Sequence, residues 1–189
     1  NKNYKKGSEL NSLINAQEKM TSGFIMVYSD ILIEDQILTK LITCQEDIVL
    51  VADNTMQYHA PEINRVQDLI ISKNKHQLTR RKISFVCENI ISKIGSKLNS
   101  ETATHEFIGL AKLTKTGAEQ FLQTYEDCAK NYQGKFQEAN DISRLKFTDL
   151  IQEMIDRGYA IHFLEIHKGW LEIHSKEDIE LANHFLSNS

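Results

Sequence analysis

The chain has 189 residues, 41% of them hydrophobic and 25% charged, and carries a formal net charge of -4. This length and composition predict one globular domain over residues 1–189. The net negative charge gives no indication of a basic surface for binding nucleic acid. No stretch reaches the roughly 18 consecutive apolar residues of a membrane span, so we expect no membrane partner.

Three cysteines, Cys44, Cys87 and Cys128, lie far apart in the sequence. Their spacing favours neither a disulfide framework nor a structural zinc site, so we expect reduced thiols in the cytoplasm. The N-terminus has no basic region followed by an apolar one, so we expect a protein that is not secreted. The chain starts at Asn1 and opens in mid-pattern. We therefore expect a piece of a longer domain.

The first third predicts a helix followed by a strand, helix, strand unit. Residues 8–20 carry apolar side chains at helical spacing behind Ser8, a favoured N-cap residue. The runs at 24–29 and 47–53 are short, apolar and closed by polar residues, as in buried strands of a mostly parallel sheet. Because residues 35–43 between them fit a helix, we expect a right-handed βαβ crossover.

The middle of the chain, residues 54–104, is the least informative part. The segment "KNKHQLTRRK" at 73–82 gathers six basic residues, which indicate either a solvated loop or a clamp for an anionic substrate. Residues 82–95 after it predict one or two strands.

A strand and a helix follow. Residues 106–114 are typical of a strand, and residues 115–132 of a helix with Thr114 or Thr116 near its N-cap. Residues 143–159 predict a further helix, because their apolar side chains share one face and Gly158 stands where a helix would stop.

The chain closes on two short strands and a helix. The runs at 160–167 and 170–174 are separated by only two residues, so we expect them to pair as a hairpin. Residues 175–186 predict a helix in which Ser175 is the N-cap and Asp178, three residues on, completes a capping box.

The segment "FIMVYSDILIEDQ", residues 24–36, holds an acid, Asp30, between two apolar runs. In open α/β sheets, ligands bind beyond the carboxyl ends of the strands, so an acid directly after a strand stands at the mouth of a site. Asp53 follows the next strand in the same way. The alternative for Asp30 is a turn or cap residue.

Three blocks in order give a resemblance to a known family. They are "FIMVYSDILIEDQILTKLITCQEDIVLVAD", "ETATHEFIGLAKLTKTGAEQF" and "LIQEMIDRGYAIHFLEIHKGWLEIHSKEDIELANHF", which together cover most of residues 8–186. They resemble the small nucleotidyltransferases that act on sugar phosphates, phosphocholine and phosphonates. The closest subgroup is the cytidylyltransferase domains that accompany phosphoenolpyruvate phosphomutases. The resemblance covers only the C-terminal two-thirds of such a domain.

The resemblance implies a three-layer α/β fold, Rossmann-like with a mixed sheet, but without the family's N-terminal glycine-rich strand, loop and helix. It also implies transfer of a nucleotidyl group, in particular cytidylyl, from a nucleoside triphosphate to a small phosphorylated or phosphonate acceptor, with release of pyrophosphate. The magnesium of this family is held by an aspartate at a strand end, here Asp30. The second ligand comes from the strand before the last helix, here Glu172 or His174.

Two departures from the family bear on activity. His174 takes the position of an Asp or Asn, and imidazole suits Mn²⁺ or zinc better than the hard ion Mg²⁺. None of the eight glycines forms the glycine-rich phosphate loop. Three interpretations stay open: a metal-dependent enzyme, a binding or regulatory module of the same fold, and a structural half completed by another chain.

Three further residues are expected at the substrate side. Asp53 ends the second strand, and Glu106 and Gly109 belong to the Glu-Phe-Ile-Gly strand, where the family pattern directs the acid towards the acceptor or the ribose. The same pattern places the glycine-rich strand beside residues 24–29. We therefore expect a homo-oligomer or a complementing N-terminal segment at that edge.

Overall fold

The structure of the protein is a computed structural model that describes residues 8–55, 66–73 and 89–187. Helices and strands are interspersed along the chain, as expected for an α/β fold, but they do not strictly alternate. Their bounds in chain order are α1 (Glu9–Ile14), β1 (Phe24–Val27), β2 (Ile31–Ile33), α2 (Asp35–Thr43), β3 (Ile48–Asp53), β4 (Leu69–Ser72), β5 (Asn89–Gly95), β6 (His105–Leu113), α3 (Lys115–Asn131), α4 (Phe147–Asp156), β7 (His162–Ile166), β8 (Trp170–Glu172) and α5 (Lys176–Ser187).

Six strands form one mixed sheet in the order β1-β6-β3-β7-β5-β4, and β4 also pairs with the start of β6. Only the β3–β7 pairing is parallel among the described strands. The expectation of a mostly parallel sheet is therefore wrong, while the mixed sheet is confirmed. β1 and β3 do run in the same direction, but β6 lies between them and pairs antiparallel with both.

Both faces of this sheet are covered, which gives the three layers. One core cluster joins sheet residues to α3 and α4, with Phe121, Phe147 and Phe163 fully buried. The second cluster packs Ile37 and Leu41 of α2 against the other face. Since all six residues of β3 and eight of the nine in β6 are buried, these two strands form the centre of the fold.

The helix predictions are confirmed, with shifted ends. The Ser8 hydroxyl accepts a hydrogen bond from the Asn11 N–H at the start of α1, and α1 ends at Ile14 before a 3₁₀ turn over Gln17–Lys19. Thr114 caps α3.

The last two helices also form where expected. A 3₁₀ turn over Ile142–Arg144 precedes α4, which therefore starts at Phe147 and not at residue 143. Gly158 follows α4 with φ +92°, the left-handed conformation typical of a helix stop. In α5, the Asp178 N–H donates to Ser175 Oγ and the Ser175 N–H donates to Asp178 Oδ2, so the predicted capping box is present.

The predicted hairpin of the last two strands is wrong. β7 enters the large sheet between β3 and β5, whereas β8 pairs with β2 in a separate two-stranded ribbon. Lys168 and Gly169 between them have φ values of +62° and +85°, and this turn takes the chain away from the large sheet. The segment Ile31–Ile33 after Asp30, which has no strand prediction of its own, is the partner of β8.

Three remaining expectations concern chemistry and the middle of the chain. Cys44 is disulfide-bonded, which contradicts the expectation of reduced cysteines, while Cys128 is free and buried. β5 supplies one of the strands expected over 82–95, and the basic segment at 73–82 lies outside the described residues after Lys73. None of the helices in the described ranges is long and apolar enough to cross a membrane.

Strand β1 leads to the first prediction. Within the described residues it pairs with β6 alone, and its side chains Ile25 and Val27 are 41% and 55% exposed. An apolar edge of this kind invites pairing with another strand, so we expect self-association or capture of a complementing segment. Sedimentation velocity should show association that grows with concentration, and Ile25→Lys combined with Val27→Lys should weaken it.

The control for this prediction is Ile42→Lys, which changes an apolar side chain that is 55% exposed on α2 and is not part of strand β1. It should leave the association unchanged. A wild-type chain that sediments as a monomer at all concentrations would contradict the prediction.

Candidate metal centre

The ribbon of β2 and β8 brings three potential metal ligands together. One side-chain ligand atom each from Asp30, Glu172 and His174 lies within 4.8 Å of the others. Ile31 is paired with Glu172 in this ribbon, and the Ile173 N–H donates to the Asp30 carbonyl oxygen over 2.7 Å. The turn after β1 and the end of β8 are thus tied together by backbone pairing.

The third ligand residue, His174, is fixed from the side of α5. Its backbone N–H donates to Asp178 Oδ2 over 2.9 Å, and this bond, with the Ser175 contacts, lowers the pKa of the Asp178 carboxyl. His174 Nε2 lies 3.0 Å from Glu172 Oε1. The ring therefore faces the carboxylate of Glu172, although 56% of the His174 side chain is exposed.

The Asp30 carboxylate differs from an ordinary capping acid. The turn interpretation requires backbone N–H donors from residues 31–33. In the described part of the chain, no hydrogen bond reaches the Asp30 carboxylate, and the N–H of Ile173 pairs with its carbonyl instead. A half-buried carboxylate without a donor is available to a cation.

The donor set and its spacing fit a divalent cation. Two carboxylate oxygens suit magnesium or manganese, and an imidazole nitrogen suits transition metals. Ligand atoms bound at right angles at about 2.1 Å lie about 3 Å apart. The 3.0 Å between Glu172 Oε1 and His174 Nε2 matches this spacing and is equally that of a hydrogen-bonded ion pair, so the two side chains pair with each other when no ion is bound.

A small open cleft adjoins the three ligands and shares Glu172 with them. Within it, burial raises the pKa of Asp68 to about 6, although Lys146, whose Nζ lies 3.9 Å from Asp68 Oδ1, acts in the opposite direction. Burial, together with Glu9, raises the pKa of Tyr28. The described residues that line the cleft are Tyr28, Val66, Asp68, Glu106, Phe107, Ile108, Trp170 and Glu172.

Glu106 lies in the wall of this cleft at the start of β6. It is buried, with 6% exposure, and its Oε2 accepts a hydrogen bond from Gln67 Nε2 over 2.8 Å. The structure therefore places this predicted substrate residue in the same cleft as Glu172, although its role stays a prediction.

Asp53 lies opposite Glu106 in the β3–β6 pairing and contacts the segment between β7 and β8. Its carboxylate accepts four hydrogen bonds: from Trp170 Nε1, the Thr55 hydroxyl, the Thr55 N–H and the Lys168 N–H. Since a carboxylate has about four acceptor positions, these donors occupy it. The observed contacts make Asp53 a positioning residue for Trp170, and the substrate role stays a prediction.

Gly109 lies in β6 beneath the ring of Tyr28. Its φ is +81°, and the β3–β6 pairing shifts register between Leu50 and Ala52, opposite this point. A Cβ at Gly109 would lie 2.4 Å from Tyr28 Cδ2. The contact explains the glycine by close packing, while its predicted part in substrate binding stays untested.

Two polar residues of the cleft, Tyr28 and Asp68, are missing from the sequence-based prediction. Tyr28 is part of the apolar run before Asp30, and Asp68 precedes β4 in the least informative region. The only sequence signal for Asp68 is an acid directly before "LIIS". Trp170, the only tryptophan of the sequence, lies in the cleft wall.

The sequence and the fold of the chain were compared with those of known proteins. No protein-family model matches it, and no curated protein matches its sequence. An inositol-1-phosphate CTP transferase from T. maritima superposes with a TM-score of 0.64 at 15% identity, over 95% of this chain and 61% of that one. A UDP-glucose pyrophosphorylase complexed with UDP-glucose gives 0.60 at 16% identity, over 97% and 64%.

A CTP:phosphocholine cytidylyltransferase from Streptococcus pneumoniae gives a TM-score of 0.58 at 12% identity, over 98% of this chain and 67% of that one. The chain thus spans 61% to 67% of the length of these three proteins. The fold is that of nucleotidyltransferases, as the sequence resemblance implies.

The packing of Gly109 gives the second prediction. Gly109→Ala should lower the free energy of unfolding by about 1–3 kcal/mol for the positive φ, with a further loss from the clash with Tyr28. Chemical denaturation followed by circular dichroism measures this difference.

The matched control is Gly134→Ala, at φ +80° with no atom within 4 Å of the added Cβ. It carries the backbone strain without the clash, so its effect should be smaller. Equal losses at the two positions would show that the Tyr28 contact contributes nothing.

Proposed function

We propose that the chain is the larger part of a metal-dependent nucleotidyltransferase. The reaction transfers a nucleotidyl group, cytidylyl in the first instance, from a nucleoside triphosphate to a small phosphorylated or phosphonate acceptor, with release of pyrophosphate. The convergence of Asp30, Glu172 and His174 beside a cleft carries this proposal. The nucleotidyltransferase fold supports it.

The proposed reaction brings negative charges together, because an anionic oxygen must attack the α-phosphorus of a triphosphate. A divalent ion, when bound, supplies charge neutralisation and orients the phosphate oxygens. The part of this chain is to present the Asp30 and Glu172 carboxylates and the His174 imidazole on one open side. Positioning and electrostatic stabilisation then account for catalysis, without a covalent intermediate.

The acceptor belongs in the cleft next to Glu172. Its wall offers the carboxylates of Asp68 and Glu106, which can accept hydrogen bonds from hydroxyl or ammonium groups. The Trp170 indole N–H is held by Asp53 and the Tyr28 hydroxyl by Glu9, so both rings have fixed orientations. A rigid wall of this kind orients a small ligand.

The triphosphate requires a phosphate-binding segment. In the resemblance, that part is the glycine-rich loop, which precedes the residues that correspond to this chain, and its strand pairs with the edge of β1. We propose that an N-terminal or complementing segment supplies it.

The second candidate is a binding or regulatory module of the same fold. The observation in its favour is His174, which stands where the resembled family has an oxygen ligand. The full-length protein, incubated with each nucleoside triphosphate and a panel of phosphonates and phosphomonoesters, separates the two candidates. Pyrophosphate release with one pair of substrates supports the enzyme, and binding without release supports the module.

Substitution of Asp30 is the sharpest test of the enzyme. Asp30→Asn should abolish turnover while leaving the fold intact, because it removes the charge of a ligand that makes no structural hydrogen bond among the described residues. The measurement is pyrophosphate release, with circular dichroism to monitor folding.

The control is Asp35→Asn, the same change at an exposed acid in the first turn of α2. It should retain turnover. If Asp30→Asn also retains near-normal turnover, Asp30 is a turn residue and the metal proposal fails.

Glu106 gives a separate prediction for the acceptor side. Glu106→Gln should raise the KM of the acceptor or of the nucleotide about tenfold, a cost of roughly 1.4 kcal/mol. Steady-state kinetics with each substrate varied in turn locates the effect. Glu119→Gln, at an exposed position of α3, serves as the control, and unchanged kinetics for Glu106→Gln would remove Glu106 from the site.

A further inference from the structure

We propose that the three-residue site selects a first-row divalent transition metal, represented by Mn²⁺, over Mg²⁺. This inference rests on the proposed function, because it concerns the ion of the same site. It depends on one residue, His174, which adds a nitrogen ligand to the oxygens of Asp30 and Glu172.

The donor set is the first step. Mg²⁺ is hard, loses its waters reluctantly and takes carboxylate and phosphate oxygens in near-ideal octahedral geometry. Imidazole is a good ligand for the transition metals, and within that series Mn²⁺ is the weakest binder at a given site. If the site prefers even Mn²⁺ to Mg²⁺, it should also prefer the later metals of the series to Mg²⁺.

The second step is that His174 is placed to act as a ligand. Its Nε2 is 3.0 Å from Glu172 Oε1, the separation of two neighbouring ligands on one ion. Its backbone N–H is bonded to Asp178 Oδ2, which anchors the residue where β8 passes into α5. The first contact holds the imidazole beside Glu172, and the second fixes the backbone from which the side chain extends.

The third step concerns the open side. Glu172 is 22% exposed and His174 56% exposed, so solvent reaches both side chains. Three protein ligands plus open positions for water or phosphate oxygens suit a six-coordinate ion. In such a site, replacing one oxygen ligand by nitrogen weakens the binding of Mg²⁺ more than the binding of Mn²⁺.

The test is direct metal binding to the full-length protein without substrates, using isothermal titration calorimetry with MnCl₂ and MgCl₂ and the electron paramagnetic resonance of free Mn²⁺. The Kd for Mn²⁺ should lie at least about tenfold below that for Mg²⁺, a difference of about 1.4 kcal/mol. His174→Asp should reduce the ratio of the Kd for Mg²⁺ to the Kd for Mn²⁺, because Mg²⁺ gains a hard oxygen ligand.

His167→Asp is the matched control, since it makes the same change at an exposed histidine that contacts Asn54 and lies outside the three ligands. It should leave the ratio unchanged. Equal affinities in the wild type, or a ratio that His174→Asp does not alter, would overturn the inference.

Asp30→Asn separates this outcome from failure of the proposed function. Loss of about tenfold or more in affinity for both ions in this variant places the ion at the site, whatever its selectivity. If both ions bind Asp30→Asn as they bind the wild type, the ion is elsewhere and the proposed metal centre fails as well.

Discussion

The arrangement of the site depends on the buried carboxylate of Asp53. It ends the central strand β3 and accepts hydrogen bonds from the Lys168 N–H and Trp170 Nε1, the second over only 2.6 Å. These bonds hold the segment after β7 as it turns out of the large sheet, so that β8 pairs with β2 and not with β7. Without that turn, Glu172 would not lie opposite Ile31, and the side chains of Asp30, Glu172 and His174 would not converge.

A second constraint is the concentration of negative charge. Asp68, Glu106 and Glu172 line one cleft, and Asp30 approaches Glu172 from the ribbon. The raised pKa of Asp68 reports the cost of burying such a charge, which Lys146 offsets only in part at 3.9 Å. Burial of charge is tolerated when a cation or a hydrogen-bond donor compensates it, and Asp30 has no donor among the described residues.

The sequence predicts the helices well and the pairing of strands less well, for a physical reason. Helix caps and stops are local, so Ser8, Thr114 and Gly158 identify their helix ends. Strand partners are set by contacts distant along the chain. The short separation of β7 and β8 favours a hairpin, yet the bonds to Asp53, more than 100 residues earlier, override it.

The same distinction applies to the site residues. Asp30, Glu172 and His174 could be named from the family resemblance, because each stands in a motif, and the structure brings them together. Tyr28 and Asp68 carry no such motif, and they reach the cleft through the packing of β1 on β6 and the pairing of β4 with the start of β6.

Gly109 links the cleft to the centre of the fold. Its missing side chain lets the Tyr28 ring lie on β6, and the Tyr28 N–H donates to the Gly109 carbonyl over 2.9 Å. Tyr28 precedes Asp30 by two residues, so this contact sets where β1 ends and its turn begins. Asp30 is thus positioned from the core strand β6 on one side and from the ribbon with β8 on the other, which makes its place a property of the whole fold.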